Sequence, residues 1–141
     1  MIVYPSIEDA VWIQELILES DFSHMNPSLD EIKIWIENKT ILIDDTDHAF
    51  IFWSEKDGYV NINLALTDPA ARNQGLSMVL FAYVWNMFRS PIRYTVLKDS
   101  KAEYYTSLRD KYVRNRCTLL REFEVNGKTY REYEAIDERW K

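Results

Sequence analysis

The sequence predicts an α/β fold (α+β mixed sheet): a central mixed sheet flanked by helices, in one domain spanning residues 1–141. Three observations carry this. Residues 59–66 alternate, with Val60, Ile62, Leu64 and Leu66 apolar between Tyr59, Asn61, Asn63 and Ala65, which is the period of a strand. Residues 78–88 are apolar nearly all round, which predicts a buried helix, and Pro91 ends it. Residues 92–97 then read as a second strand, so strand, helix and strand form a βαβ unit with two parallel strands.

The other elements follow in order. Residues 2–4 are a short β-prone stub closed by Pro5. Ser6-Ile7-Glu8-Asp9 is a capping box, and Ala10, Ile13, Leu16 and Ile17 continue at helical spacing, predicting a helix over 7–20. Ser28 caps a second helix over 29–38, with Leu29, Ile32, Trp35 and Ile36 on one face. Residues 40–43 and 48–54 read as strands around the acidic turn Asp44-Asp45-Thr46-Asp47, and Asp57-Gly58 turns the chain into the alternating strand. Residues 99–108 predict a short helix bearing Ala102, Tyr105 and Leu108 on one side. Residues 117–125 and 128–136 form a hairpin about Asn126-Gly127. The order is β-α-α-β-β-β-α-β-α-β-β.

Composition narrows the function classes. Hydrophobic residues make up 47% and aromatics 14%, enough for a packed core, whereas three Gly and four Pro leave no room for a long linker. The net charge of −6 speaks against general nucleic-acid binding, which needs clustered Lys and Arg on phosphates. One cysteine, Cys117, excludes an intrachain disulfide. The longest apolar run, Met78 to Trp85, is too short for a bilayer, and residues 1–5 carry no signal-peptide pattern. A soluble, cytoplasmic protein without membrane contact is expected. His24, His48 and Cys117 lack metal-ligand spacing, so no metal is expected, and the acidic turn beside His48 reads as a solvated loop.

The chemistry concentrates between the alternating strand and the apolar helix, in Arg72-Asn73-Gln74-Gly75-Leu76-Ser77. A loop entering a helix N-terminus offers backbone N–H groups and the positive end of a dipole, a ready site for phosphate or pyrophosphate. Gly75 lets a ligand approach the backbone, Ser77 is small, and Arg72 adds positive charge. An ordinary strand-to-helix loop fits the string equally well.

In combination with its flanks the string resembles the motif of the GNAT superfamily of acyl-CoA-dependent N-acetyltransferases, Arg/Gln-x-x-Gly-x-Gly/Ala with a preceding Pro. Pro69, Arg72 and Gly75 match, and Ser77 stands where the family has Gly or Ala. The element order matches over about residues 2–136, and the motif over about a dozen. The resemblance implies acetyl-CoA as co-substrate and an amine acceptor, joined by direct attack without a covalent enzyme intermediate. It implies that backbone N–H groups of Asn73, Gln74, Gly75, Leu76 and Ser77 hold the CoA pyrophosphate. It implies that Leu66 and Thr67 pair with the pantetheine arm, and that the Leu66 N–H polarises the thioester carbonyl. A tyrosine on the helix after the next strand would protonate the leaving thiolate; Tyr105 is the first choice and Tyr104 the second. Where relatives carry a strand carboxylate as base, this sequence has Asn61 and Asn63, leaving Glu55 or Glu103 to act through water. The family's Asn at the start of that helix is replaced by Asp99 and Ser100, and its following Gly-Phe pair is absent. These departures keep a second reading open, a catalytically inactive GNAT-fold binding or assembly module. The fold also allows a homodimer. Lys111, Arg114 and Arg116 form a small basic cluster that reads as a solvated face or as a contact for the 3′-phosphate of CoA.

Overall fold

The computed structural model describes residues 1–46, 48–72, 74–104, 115–137 and 139. The chain divides into two compact units, Met1–Ser54 with Asn63–Val84, and Glu55–Ile62 with Trp85–Lys141.

The first unit contains β1 (Ile2–Val3), α1 (Ala10–Leu18), α2 (Leu29–Glu37), β2 (Ile41–Asp44) and most of β3 (Ala49–Lys56). It also holds the far half of β4 (Tyr59–Thr67) and most of α3 (Leu76–Phe88). The expected helix over 7–20 is a 3-10 turn, Ile7–Asp9, running into α1. Its capping box forms as read: the Ser6 N–H donates to Asp9 at 2.8 Å. Asp9 accepts a second bond from the Trp12 indole N–H, also at 2.8 Å. Ser28 caps α2 by accepting from the Glu31 N–H at 3.1 Å. The apolar faces of α1 and α2 meet β2, β3 and β4 through Ile13, Ile17, Ile32, Ile41, Phe50 and Leu64. Burying each such side chain fully contributes about 1.5–3 kcal/mol, so this one cluster dominates the unit. Trp35 stacks on Phe52 at 3.9 Å over its edge.

The second unit contains the start of β4, the end of α3, β5 (Ile92–Leu97), a helical turn at 101–104, β6 (Asn115–Val125) and β7 (Lys128–Asp137). Val60, Asn61 and Ile62 pair in parallel with Ile92, Arg93 and Tyr94, as the βαβ reading requires. β5 and β7 are antiparallel from Ile92↔Ala135 to Leu97↔Tyr130. β6 and β7 join at Asn126-Gly127, where φ is 51° and 80°. Two successive positive φ values mark a type I′ turn, which matches the twist of the strands it connects. A register shift between Leu119 and Arg121 interrupts their ladder. The strands lie in the order β1-β2-β3-β4-β5-β7-β6.

Two expectations need correction. α3 begins at Leu76, not Met78, because the Gly75 carbonyl already accepts the Val79 N–H at 3.1 Å. Nor is α3 buried as its composition predicts: only Leu80 and Val84 are, while Met78, Val79, Tyr83 and Met87 are exposed. A helix that is apolar all round has no polar face to announce which side meets solvent. The expected helix over 99–108 is seen as the turn at 101–104; 105–108 lie outside the described residues. Among the described residues, no helix is long and apolar enough to cross a membrane.

Candidate active site

β4 delivers the chain to the motif loop. Leu66 and Thr67 end the strand, with the Leu66 side chain packed against the first unit's core. The loop then starts on a fixed base. The Asp68 N–H donates to the His48 carbonyl at 3.0 Å, and the His48 ring lies flat on Trp12 at 4.4 Å. The Asp68 side chain accepts from the Ala70 N–H at 2.9 Å, closing the short 3-10 turn Pro69–Ala71. Arg72 is extended and exposed, and Gln74 is exposed; Asn73 lies outside the described residues.

Gly75 stands at the hinge between loop and helix with φ +74°. A β-carbon there would meet no heavy atom within 4 Å. Two separate things follow. Any other residue would be strained by the left-handed backbone, and the space above the backbone is open to a ligand. The N–H groups of Leu76 and Ser77 open α3, and the first-turn N–H groups of a helix have no intrahelical acceptor. Open space, a helix dipole and these donors fit a pyrophosphate.

Ser77 has a role that sequence reading missed. Its hydroxyl and that of Thr67 are 2.9 Å apart, a hydrogen bond between the end of β4 and the first turn of α3. A glycine or alanine at position 77 would lack it. Two hydroxyls ten residues apart give no local signal; only the assumption that strand end and helix start adjoin would have paired them.

Asn63 on β4 donates to the Ser54 hydroxyl at 2.7 Å. Glu55 is exposed near the end of β3.

In the second unit Tyr104 is 61% exposed at the end of the turn at 101–104. Tyr105 lies outside the described residues, as do Lys111 and Arg114. Glu103 is committed elsewhere. It accepts from the Tyr133 hydroxyl at 2.7 Å, from the Asp99 N–H at 2.9 Å and from Arg131 at 3.2 Å. Burial pushes its carboxyl up, but the Asp99 N–H, the Tyr133 hydroxyl and the Arg131 guanidinium outweigh it and hold the pKa below the usual value. Such a carboxylate is a poor proton acceptor, and its position ties the helical turn to β7. Tyr133 is raised, first by burial and then by the carboxylate its hydroxyl serves. Arg131 also holds Glu122 at 2.9 Å.

The second unit has its own cavity of about 360 Å³, lined by Trp85, Asn86, Arg89, Asp137 and Arg139. Asp137 is 1% exposed and held at a pKa of about 2, chiefly by the Arg139 side chain and then by the Arg139 N–H. No residue of the motif lines this cavity, so its volume says nothing about the motif.

No family model matches the sequence, and no curated protein matches it. Solved structures do match. A ribosomal-protein-alanine N-acetyltransferase from Brucella melitensis superposes with a TM-score of 0.73 at 11% identity, covering 96% of this chain and 99% of its own. The protein yncA from Salmonella typhimurium, solved with its cofactor acetyl-CoA, gives 0.71 at 13% identity, covering 95% and 91%. A Bacteroides thetaiotaomicron protein assigned to the GNAT family gives 0.64 at 16% identity, covering 95% and 85%. Identities this low carry architecture, and the architecture is the same from the N-terminal helices to the final hairpin: the chain has the GNAT fold.

Proposed function

We propose that this chain is an acetyl-CoA-dependent N-acetyltransferase, with residues 1–141 acting as one domain. The observation that carries the reading is Gly75. It combines left-handed φ, open space above the backbone and a helix start directly after β4, in the fold of proteins of which one was solved with acetyl-CoA.

In this reading the N–H groups from Asn73 to Ser77 hold the CoA pyrophosphate at the start of α3, and Arg72 adds a cation that no described residue is seen to neutralise. β4 runs on past its last β5 partner pair, Ile62↔Tyr94, to Thr67. That stretch supplies the Leu66 and Thr67 backbone to the pantetheine arm. The Leu66 N–H polarises the thioester carbonyl and stabilises the oxyanion that forms there. A neutral primary amine attacks the carbonyl carbon, the C–N bond forms, and the C–S bond breaks on collapse of the tetrahedral intermediate. Tyr105, or failing it Tyr104, gives the leaving sulfur a proton, and the amine nitrogen loses its own to water. The engagement of Glu103 with Tyr133 and Arg131 favours a base-free route or Glu55 acting through water. An acceptor amine of low pKa suits either.

Calorimetry with acetyl-CoA tests this directly. Wild type is expected to bind, and Arg72→Glu and Gly75→Trp to abolish binding while leaving the circular dichroism unchanged. Thiol release against a panel of amines then reads turnover, with Tyr105→Phe and Tyr104→Phe assigning the acid. Failure of folded wild type to bind refutes the reading; binding without turnover on any amine turns it into the inactive module.

A further inference from the structure

The motif loop leaves β4 at Asp68, and that point is held by a chain of contacts reaching back to α1, all within the first unit. Trp12 on α1 is fixed on two sides. Its indole N–H donates to Asp9 at 2.8 Å, and its ring meets the fully buried Phe50 edge-on at 6.4 Å. His48 lies against this ring, with ring centres 4.4 Å apart and planes 7° from parallel. The His48 carbonyl accepts the Asp68 N–H at 3.0 Å, and the Asp68 side chain closes the turn that leads to Arg72.

His48 is the unexpected member. It is exposed beside an acidic turn, where a histidine reads as solvated. Yet its φ is +52°, in the left-handed region that few residues other than glycine occupy. The strain of that backbone is comparable with what a stacked aromatic pair supplies. The stack on Trp12 offsets the strain, and the backbone conformation it sustains keeps the His48 carbonyl on Asp68.

We propose that Trp12 and His48 are positioning residues for the acetyl-CoA loop: their stack fixes Asp68, and with it the course of the loop that presents its N–H groups to the pyrophosphate. This rests on the acetyl-CoA reading above. Both residues act through the Asp68 N–H rather than by touching the cofactor. The Thr67–Ser77 bond ties the same strand end to α3, so the loop is held at both ends while Arg72 and Gln74 stay exposed between them. A loop ordered in advance loses less freedom when a ligand arrives, so the clamp acts on affinity.

Two measurements on the intact chain test these roles. Amide hydrogen exchange reads the clamp without ligand, and calorimetry with acetyl-CoA reads its consequence. His48→Gly removes the ring, keeps the left-handed backbone accessible and disturbs no buried side chain. Trp12→Leu removes the same stack from the other side. Each is expected to speed exchange of the Asp68 N–H and to raise the acetyl-CoA dissociation constant about five- to tenfold, the equivalent of one stacked pair. The double variant should match the single ones, because both remove one contact. Trp12→Phe keeps a ring under His48 and should stay within about threefold of wild type. Exchange at Phe50 and Leu64, in the sheet beneath, should not change, whereas general loosening of the fold would speed it as well. Folded wild type that does not bind acetyl-CoA refutes the acetyl-CoA reading and the positioning roles together. Wild-type binding with an unmoved dissociation constant in His48→Gly and Trp12→Leu overturns the positioning roles alone, as does exchange that quickens at Phe50 and Leu64 as much as at Asp68.

Discussion

Replacing Glu103 tests whether the link between the turn at 101–104 and β7 holds the second unit together. The Glu103 side chain is only 12% exposed. Its three donors differ in what they lose in Glu103→Ala. The exposed Asp99 N–H finds water, and Arg131 keeps Glu122 at 2.9 Å. Tyr133, whose hydroxyl gives a 2.7 Å bond, loses its acceptor while partly buried. A hydrogen bond to a charged group is worth about 1.5–3 kcal/mol, and Arg131 adds a smaller share, so the expected loss is about 2–4 kcal/mol. For a chain of this size that lowers Tm by about 6–15 °C. Glu103→Gln keeps one acceptor oxygen and should cost about half. Urea titrations of Glu103→Ala, Tyr133→Phe and the double variant give the coupling, expected at about 1–2 kcal/mol. The pH dependence adds a second reading. The Glu103 pKa is lowered by folding, so its contribution is present above the unfolded value of about 4.3 and is lost as pH falls through the folded one. The Tyr133 pKa is raised, so its contribution is present below about 10 and is lost as pH rises through the folded value. Strict additivity of the two substitutions, or a loss under about 0.5 kcal/mol for Glu103→Ala, would refute the linkage.

Three further outcomes are expected. Gly75→Ala should destabilise by about 1–2 kcal/mol in urea, the cost of a β-carbon at positive φ, because no atom opposes the added methyl; a loss well above that would mean a clash at the hinge. Leu80→Ala removes a side chain with no exposure and should cost about 2–5 kcal/mol, whereas Met87→Ala on the exposed side of the same helix should leave stability nearly unchanged. Arg139→Ala should raise the Asp137 carboxyl from about 2 toward, but not above, the ordinary value of about 3.9, since the backbone N–H of residue 139 remains and outweighs burial; carboxyl NMR reads the shift, and an unmoved resonance would show that the backbone N–H suffices.

What the sequence discloses divides by range. β5 runs from Ile92 to Leu97 as read, and β4 gains only Thr67, because alternation and turn residues are local signals. The motif loop is equally local: strand, Pro69, Gly75 and helix follow one another directly along the chain. The Glu103–Tyr133 bond joins residues 30 apart, and the Thr67–Ser77 bond needs strand end and helix start to adjoin. No periodicity encodes either. Arg131 and Tyr133 do alternate onto one face of β7, which is the trace the network leaves in the sequence. α3 fails for a different reason. Hydrophobicity states that a surface should be covered, and does not say whether this chain or another molecule covers it.

The β6–β7 hairpin bears on how quickly the chain can organise itself. Its ladder runs from Val125↔Lys128 out to Asn115↔Asp137, and every pair closes around the same two-residue turn. Because Asn126 and Gly127 already favour the turn, this hairpin can zip up on the microsecond scale that short loops allow. The parallel pairing of β4 with β5 must instead bring Val60 to Ile92 across the whole of the motif loop and α3, a far larger loss of chain freedom. That closure is expected to be slower than the hairpin, so the part of the chain that carries the candidate cofactor loop is expected to be fixed after it.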